Sequence, residues 1–332
     1  MVSRTGSQPL VIAHRGASGY LPEHTLAAKA VAHVMGADFI EQDVVLSADG
    51  VPLVLHDIHL EQTTDVAQRF PGRARADGRF YAIDFSLEEI RQLRVHERSA
   101  AGESGTQEAV FPERFPVQSA LFGVPTLAEE IELLNGLDRS RGCSTGLYIE
   151  LKSPNWHLRE GADSAVAVLD VLRETGYDQR RDQVFLQCFD DATLRRLRGE
   201  LRVTLPLIQL LADNSWGEDT AADFDQLRSP GGLDEIARYA DGIGPWIMQI
   251  YLGRDAAGQA RISDLVRLAH ERSLLVHPYT LRRDALPPGI ASFDELLDIL
   301  VGQAAVDGLF TDFPDLTRDY LCRRAAPRGT RS

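Results

Sequence analysis

The chain predicts an α/β protein built as a TIM (β/α)8 barrel with a small inserted subdomain. Three observations lead there. Eight short apolar runs recur, beginning at Leu10, Asp38, Gly146, Gln183, Leu205, Gly242, Leu274 and Gly308, and each precedes a helical pattern. Polar residues interrupt these runs near their carboxyl ends, where a barrel gathers its loops. No G-x-G-x-x-G or Walker pattern opens a helix, which counts against an open doubly wound sheet. At 332 residues the chain is long enough for one large barrel.

The first run, Leu10 to Ala13, ends abruptly in His14-Arg15-Gly16, and Pro22-Glu-His-Thr25 leads into a helix ending near Met35. Ala37 to Leu46 alternates with period two, so Phe39, Glu41, Asp43 and Val45 share one face. Asp49-Gly50 marks a hairpin, and Val51 to Leu55 returns as a strand ending in His56-Asp57. From Glu61 to Gly123 charge and glycine dominate, and we expect an insertion within a barrel domain spanning 8–322. One helix is expected there, Ser86 to Arg94, with Ser86 and Glu89 as a capping box.

A regular beat then resumes. Helices are expected at Thr126 to Gly136, Leu158 to Thr175, Asp191 to Glu200, Leu233 to Tyr239, Ser263 to Glu271 and Phe293 to Val301. The strands between them are Gly146 to Lys152, Gln183 to Phe189, Leu205 to Leu210, Gly242 to Gly244, Leu274 to Tyr279 and Gly308 to Asp312. A final helix follows, and the tail, Arg323 to Ser332, reads as disordered.

Composition narrows the function. A net charge of −14 argues against a nucleic-acid partner, because tracking a phosphate backbone takes a basic surface. An anionic ligand must therefore meet local cations: a few Arg or Lys, or a bound metal. Lysine occurs only as Lys29 and Lys152. Cys143, Cys188 and Cys322 show no metal or redox spacing. No run is long enough to span a bilayer, so stable membrane insertion is not expected, and the short polar start lacks a signal-peptide core. As given, the chain reads as cytoplasmic, the alternative being a periplasmic or secreted protein with its signal removed. No pattern sets an oligomeric state.

Glu41-x-Asp43 puts two carboxylates on one side of a strand, about 7 Å apart along it. Like charges do not sit there uncompensated, and their apolar neighbours on that face argue against free solvation. Glu150-x-Lys152 repeats the spacing. Three carboxylates without a nearby cysteine describe a hard-cation site, for Ca²⁺ or Mg²⁺ rather than zinc. The competing reading is a salt-bridged interior, Glu150 with Lys152 and Asp43 with Arg15. His14 and His56 end strands near these acids, and paired imidazoles serve as general base and acid. His59, in the same loop as His56, is held in reserve. A cation, an Arg, a Lys and two imidazoles are a kit for cleaving a phosphate ester.

These motifs, with Tyr279-Thr-Leu-Arg and Gly308-Leu-Phe-Thr-Asp-Phe-Pro-Asp315, resemble the glycerophosphodiester phosphodiesterase family from Leu10 to about Tyr320. The resemblance implies His14 and His56 as the acid/base pair, Glu41, Asp43 and Glu150 as ligands of one divalent cation with Ca²⁺ favoured, and Arg15 and Lys152 as phosphate contacts. The implied substrate is a small glycerophosphodiester, cleaved to sn-glycerol 3-phosphate and an alcohol. His24 departs from the pattern, since many members carry Asn there; the His form resembles a longer, inserted and often exported branch. A phospholipase C/D-type or lysophospholipid phosphodiesterase is the nearer alternative, and its bilayer rim would come from Phe80, Tyr81, Phe85, Phe111 and Phe115. A non-catalytic phosphodiester binder is the more distant one.

Overall fold

The computed structural model describes residues 8–101 and 107–325. Eight parallel strands form the barrel wall: β1 (Leu10–Ala13), β2 (Phe39–Leu46), β3 (Gly146–Leu151), β4 (Val184–Cys188), β5 (Leu207–Leu211), β6 (Gly242–Pro245), β7 (Leu275–Val276) and β8 (Gly308–Thr311). Their order is β7-β6-β5-β4-β3-β2-β1-β8. Backbone bonds from Asp307 N to Val276 O (3.0 Å), Phe310 N to Pro278 O (3.1 Å) and Leu281 N to Phe310 O (2.8 Å) draw the two ends together.

A helix follows each strand: α1 (Leu26–Val34), α2 (Leu127–Arg141), α3 (Ser164–Glu174), α4 (Asp191–Gly199), α5 (Pro230–Ile236), α6 (Leu265–His270), α7 (Phe293–Leu297) and α8 (Pro314–Ala325). Side chains satisfy orphan amides at most of their starts. Thr25 accepts from Ala28 N, and Thr126 and Glu129 close a capping box. Odd positions of β2 and even positions of β3 face the lumen. There Tyr148 stacks on Phe185 with centroids 4.8 Å apart and meets Phe310 edge-on at 4.8 Å. This aromatic plug, with Leu10, Ile12, Phe39 and Ile208, fills the barrel below the site, while Val11, Ile40, Val44 and Leu147 pack outward against the helices.

Between the return strand Pro52–Val54 and α2, the chain makes an excursion with little regular structure, including a strand pair Ser99–Ala101 with Gln107–Ala109. Leu60, Val66, Phe80, Phe85, Ile90, Leu93 and Val95 pack together on Val45, Leu53 and Leu55.

Several expected boundaries shift. The helix expected over Leu158 to Thr175 is two: Pro154–Arg159, then α3 capped by Asp163, because Gly161 turns at φ +85°. Ser86 to Arg94 holds only one α-turn, Leu87–Ile90, although its capping box forms as expected. The seventh strand stops at Val276, because Pro278 brings no N–H to the ladder. Arg323 to Ala325 continue α8 instead of joining a tail, while 326–332 lie outside the described residues.

Candidate active site

The carboxyl ends of the strands open into a cavity of about 450 Å³. Every residue expected there lines it: His14, Arg15, Glu41, Asp43, His56, Glu150 and Lys152, together with Gln187, Trp216, Glu218, Trp246, Tyr279 and Arg282. Register explains the meeting of the acids. β2 and β3 pair so that Asp43 lies opposite Glu150, and Glu41 precedes Asp43 by one pleat on the same face. Carboxylate oxygens of all three come within 4.8 Å of one another, and all three residues are buried.

β1 delivers its polar end through a strained turn. Arg15 sits at φ +57° and Gly16 at φ +91°, where a Cβ on Gly16 would lie 2.9 Å from the Ala28 carbonyl carbon. The strain turns the Arg15 N–H toward Glu41 Oε2, which accepts it at 2.9 Å. Gln187 Nε2 donates to Glu41 Oε1 at 3.0 Å. Both ion pairs of the competing reading exist: Lys152 Nζ lies 2.7 Å from Glu150 Oε1, and Arg15 Nε 3.4 Å from Asp43 Oδ2. They do not exhaust the cluster. Asp43 Oδ1 is buried with no hydrogen-bond partner. An orphaned carboxylate oxygen in an all-oxygen donor set fits a hard divalent cation.

Electrostatics point the same way. Burial, then Asp43 and Glu150, push the Glu41 carboxyl well above its usual range. Burial also raises Glu150, to about 8, despite Lys152. Asp43 is opposed by burial too, yet His24, His56 and Lys152 hold it well below the ordinary value. Glu41 and Glu150 are thus held toward their neutral forms, and a bound cation would favour all three acids as carboxylates.

Each expected catalytic imidazole is oriented by an aspartate. His14 Nδ1 lies 2.6 Å from Asp312 Oδ1, and His56 Nδ1 lies 2.7 Å from Asp57 Oδ1. With carboxylates as acceptors, both rings carry the proton on Nδ1 and turn Nε2 inward, His14 toward Glu41 Oε2 at 3.7 Å and His56 toward Lys152 Nζ at 3.3 Å. Burial lowers both histidines to about 4, helped by Arg15 in each case and by Lys152 at His56. Both rings are neutral at pH 7.

Sequence reasoning put Asp312 at the end of the last strand but gave it no partner, and it missed Arg98 and Arg114. Arg98 is a half-buried clasp, bonding Glu23 at 2.6 Å and Asp57 at 2.7 Å, and Glu23 in turn holds Arg15 at 3.0 Å. Arg114 reaches in from the excursion to Asp312 at 2.7 Å. No local pattern marks these contacts, which span up to 198 residues. The His56-Asp57 adjacency was a readable signal. His59 lies away from the cavity, its ring 4.5 Å from that of Tyr81. Of the aromatics considered for a bilayer rim, Phe80 and Phe85 are buried, Tyr81 stacks on Trp156, Phe115 packs on Phe122 and Phe111 lies under Arg114.

Comparison with known proteins agrees with this geometry. The model of the glycerophosphoryl diester phosphodiesterase family matches residues 14–316. A glycerophosphodiester phosphodiesterase of Haemophilus influenzae is 40% identical over 95% of this chain and 90% of its own length. One of Treponema pallidum is 37% identical over 98% and 95%. Among solved structures, one from Silicibacter pomeroyi DSS-3 superposes with a TM-score of 0.71 at 25% identity, covering 96% of this chain and 95% of that one. An Oleispira antarctica phosphodiesterase, solved with the product sn-glycerol-3-phosphate, shares the fold with a TM-score of 0.61 at 21% identity, covering 95% and 97%. A family match that begins at His14 and runs through the last barrel strand leaves one conclusion: this chain belongs to the glycerophosphoryl diester phosphodiesterase family and is a glycerophosphodiester phosphodiesterase.

Proposed function

We propose that the enzyme hydrolyses deacylated phospholipid head groups, with Glu41, Asp43 and Glu150 holding one divalent cation and His14 and His56 exchanging protons. The observation that carries this reading is the cluster of three carboxylates between two aspartate-oriented imidazoles. The all-oxygen cluster suits Ca²⁺ or Mg²⁺, and the resemblance to the longer, inserted branch of the family favours Ca²⁺. Bound there, the ion supplies Lewis-acid charge that offsets the phosphoryl oxygens.

The side chains do the rest. Arg15 and Lys152 stand at the cavity wall to receive the phosphodiester anion. A neutral imidazole takes the proton of the attacking hydroxyl on Nε2. The second imidazole becomes an acid once the entering anion favours its protonated form, and it returns a proton to the departing alkoxide. Asp312 and Asp57 hold the two rings in tautomer and stabilise their charged forms. The alcohol portion extends toward Trp216, Trp246 and Glu218, cavity residues contributed by later loops.

The test is substitution combined with chelation. His14→Ala and His56→Ala should each lower kcat on glycerophosphocholine by roughly 10²–10⁴-fold with the circular dichroism spectrum intact. EDTA should abolish activity, and added Ca²⁺ restore it. An active double histidine variant, or full turnover in EDTA, would sink the scheme.

A further inference from the structure

We propose that Lys29, seated against Glu130, is a positioning residue that sets the tautomer of His24 and through it the orientation of the Asp43 carboxylate. The inference rests on the cation reading above for its consequence, but not for its geometry. The chain has two lysines. Lys152 lines the cavity, whereas Lys29 lies outside it, on α1, with its side chain 0% exposed. Burying a long cationic side chain is costly unless each of its donors has a partner.

Lys29 has them. Its Nζ lies 3.2 Å from His24 Nδ1 and 3.3 Å from Glu130 Oε2, and it also bonds the main-chain oxygen of Glu41. An ammonium only donates, so His24 Nδ1 accepts and the ring proton sits on Nε2. That N–H meets Asp43 Oδ2 at 2.7 Å. One carboxylate oxygen is thereby engaged from behind, and the other, Oδ1, is left unpartnered within the acidic cluster.

The opposite tautomer would put the Nε2 lone pair against Asp43 Oδ2, two acceptors in contact, and would turn the carboxylate away. His24 cannot escape by moving its backbone. It is pinned at φ +61° by its N–H donating to Arg15 O at 2.9 Å. The arrangement therefore runs from Glu130 on α2 through Lys29 and His24 to Asp43 on β2. Its first link is an ion pair, and from Lys29 onward it is a series of donors and acceptors with one permitted direction. Groups behind a ligand in this way orient it and govern its affinity.

Two measurements test the inference. Ring ¹⁵N spectra of the full chain without added metal should show His24 protonated at Nε2; an Nδ1–H ring would overturn the proposal outright. Lys29→Met alone strands Glu130, so the informative variant is Lys29→Met with Glu130→Met, which removes both charges at similar volume and should fold. In that variant His24 should populate both tautomers, and Ca²⁺ affinity by calorimetry should fall about 10–100-fold. An unchanged His24 spectrum with Ca²⁺ affinity within twofold of the parent would overturn it. A parent protein that binds no Ca²⁺ would instead overturn the cation reading, while the ring spectra would still decide the role of Lys29.

Discussion

His14 Nδ1 lies 2.6 Å from Asp312 Oδ1, a contact that joins the carboxyl ends of the first and last barrel strands. β1 and β8 pair in register, Ala13 beside Thr311, so the next residue of each strand faces the other across the barrel mouth. Arg282, His14 and Arg114 together overcome burial and hold Asp312 well below the usual carboxylate range. It is a permanent acceptor, and it keeps the His14 proton on Nδ1.

Asp312→Asn should therefore lower kcat on the order of 10³-fold with little change in KM, because an amide supports the wrong tautomer while leaving phosphate contacts in place. Steady-state kinetics on glycerophosphocholine would check this. A change confined to KM would assign Asp312 to substrate binding instead.

The acidic cluster opposes its own fold when no cation is bound. Glu41→Gln replaces the carboxyl that burial, Asp43 and Glu150 already push toward its neutral form. The metal-free variant should melt at or above the parent temperature, yet be inactive. Millimolar Ca²⁺ should raise the parent's Tm and leave the variant's unmoved. Differential scanning fluorimetry with and without Ca²⁺ reads both effects, and a Ca²⁺-stabilised variant would contradict the assignment.

Below the site, His277 is enclosed by the aromatic plug, its Nδ1 2.8 Å from the Tyr148 hydroxyl. Burial lowers it from 6.5 to about 4. A lowered folded value means the unfolded chain binds the proton first, so the stabilising contribution is complete above pH 6.5 and fades as pH falls toward 4. At 1.36 kcal/mol per unit the loss is about 3 kcal/mol. In urea titrations His277→Gln should be less stable than the parent at pH 7, and that gap should narrow by about this amount at pH 4. A gap independent of pH would show that His277 titrates as it does in water.

Large apolar side chains exposed on the described surface are scattered: Leu26, Val34, Val110, Leu121, Leu158, Trp216 and Leu252. Of these only Trp216 lines the cavity, and no helix among the described residues is long and apolar enough to cross a membrane. A single strongly exposed tryptophan at the cavity is little apolar surface with which to draw an acyl chain out of a bilayer. Glycerophosphocholine should be turned over at least about 100-fold faster than lysophosphatidylcholine in vesicles. Comparable rates would favour the lysophospholipid reading.

Much of this enzyme was legible along the chain, because strands and helices write their periods locally. The alternation of Phe39, Glu41, Asp43 and Val45 specified a common face before any coordinates, and eight such runs specified the wall. Where local signals were mixed the boundaries slipped, as at Gly161, where one positive-φ residue divided an expected helix.

The partners of the functional groups were a different matter. That Asp43 stands opposite Glu150 depends on the register between two strands separated by the whole excursion, and that Arg98 and Arg114 reach the histidines' aspartates depends on how the excursion folds back. The sequence by itself determined which chemical groups stand at the strand ends, since a side chain's face follows from a two-residue repeat. Only the tertiary structure decided which of them touch, because a contact between distant segments is set by strand register and loop path, and neither is encoded in any single stretch of chain.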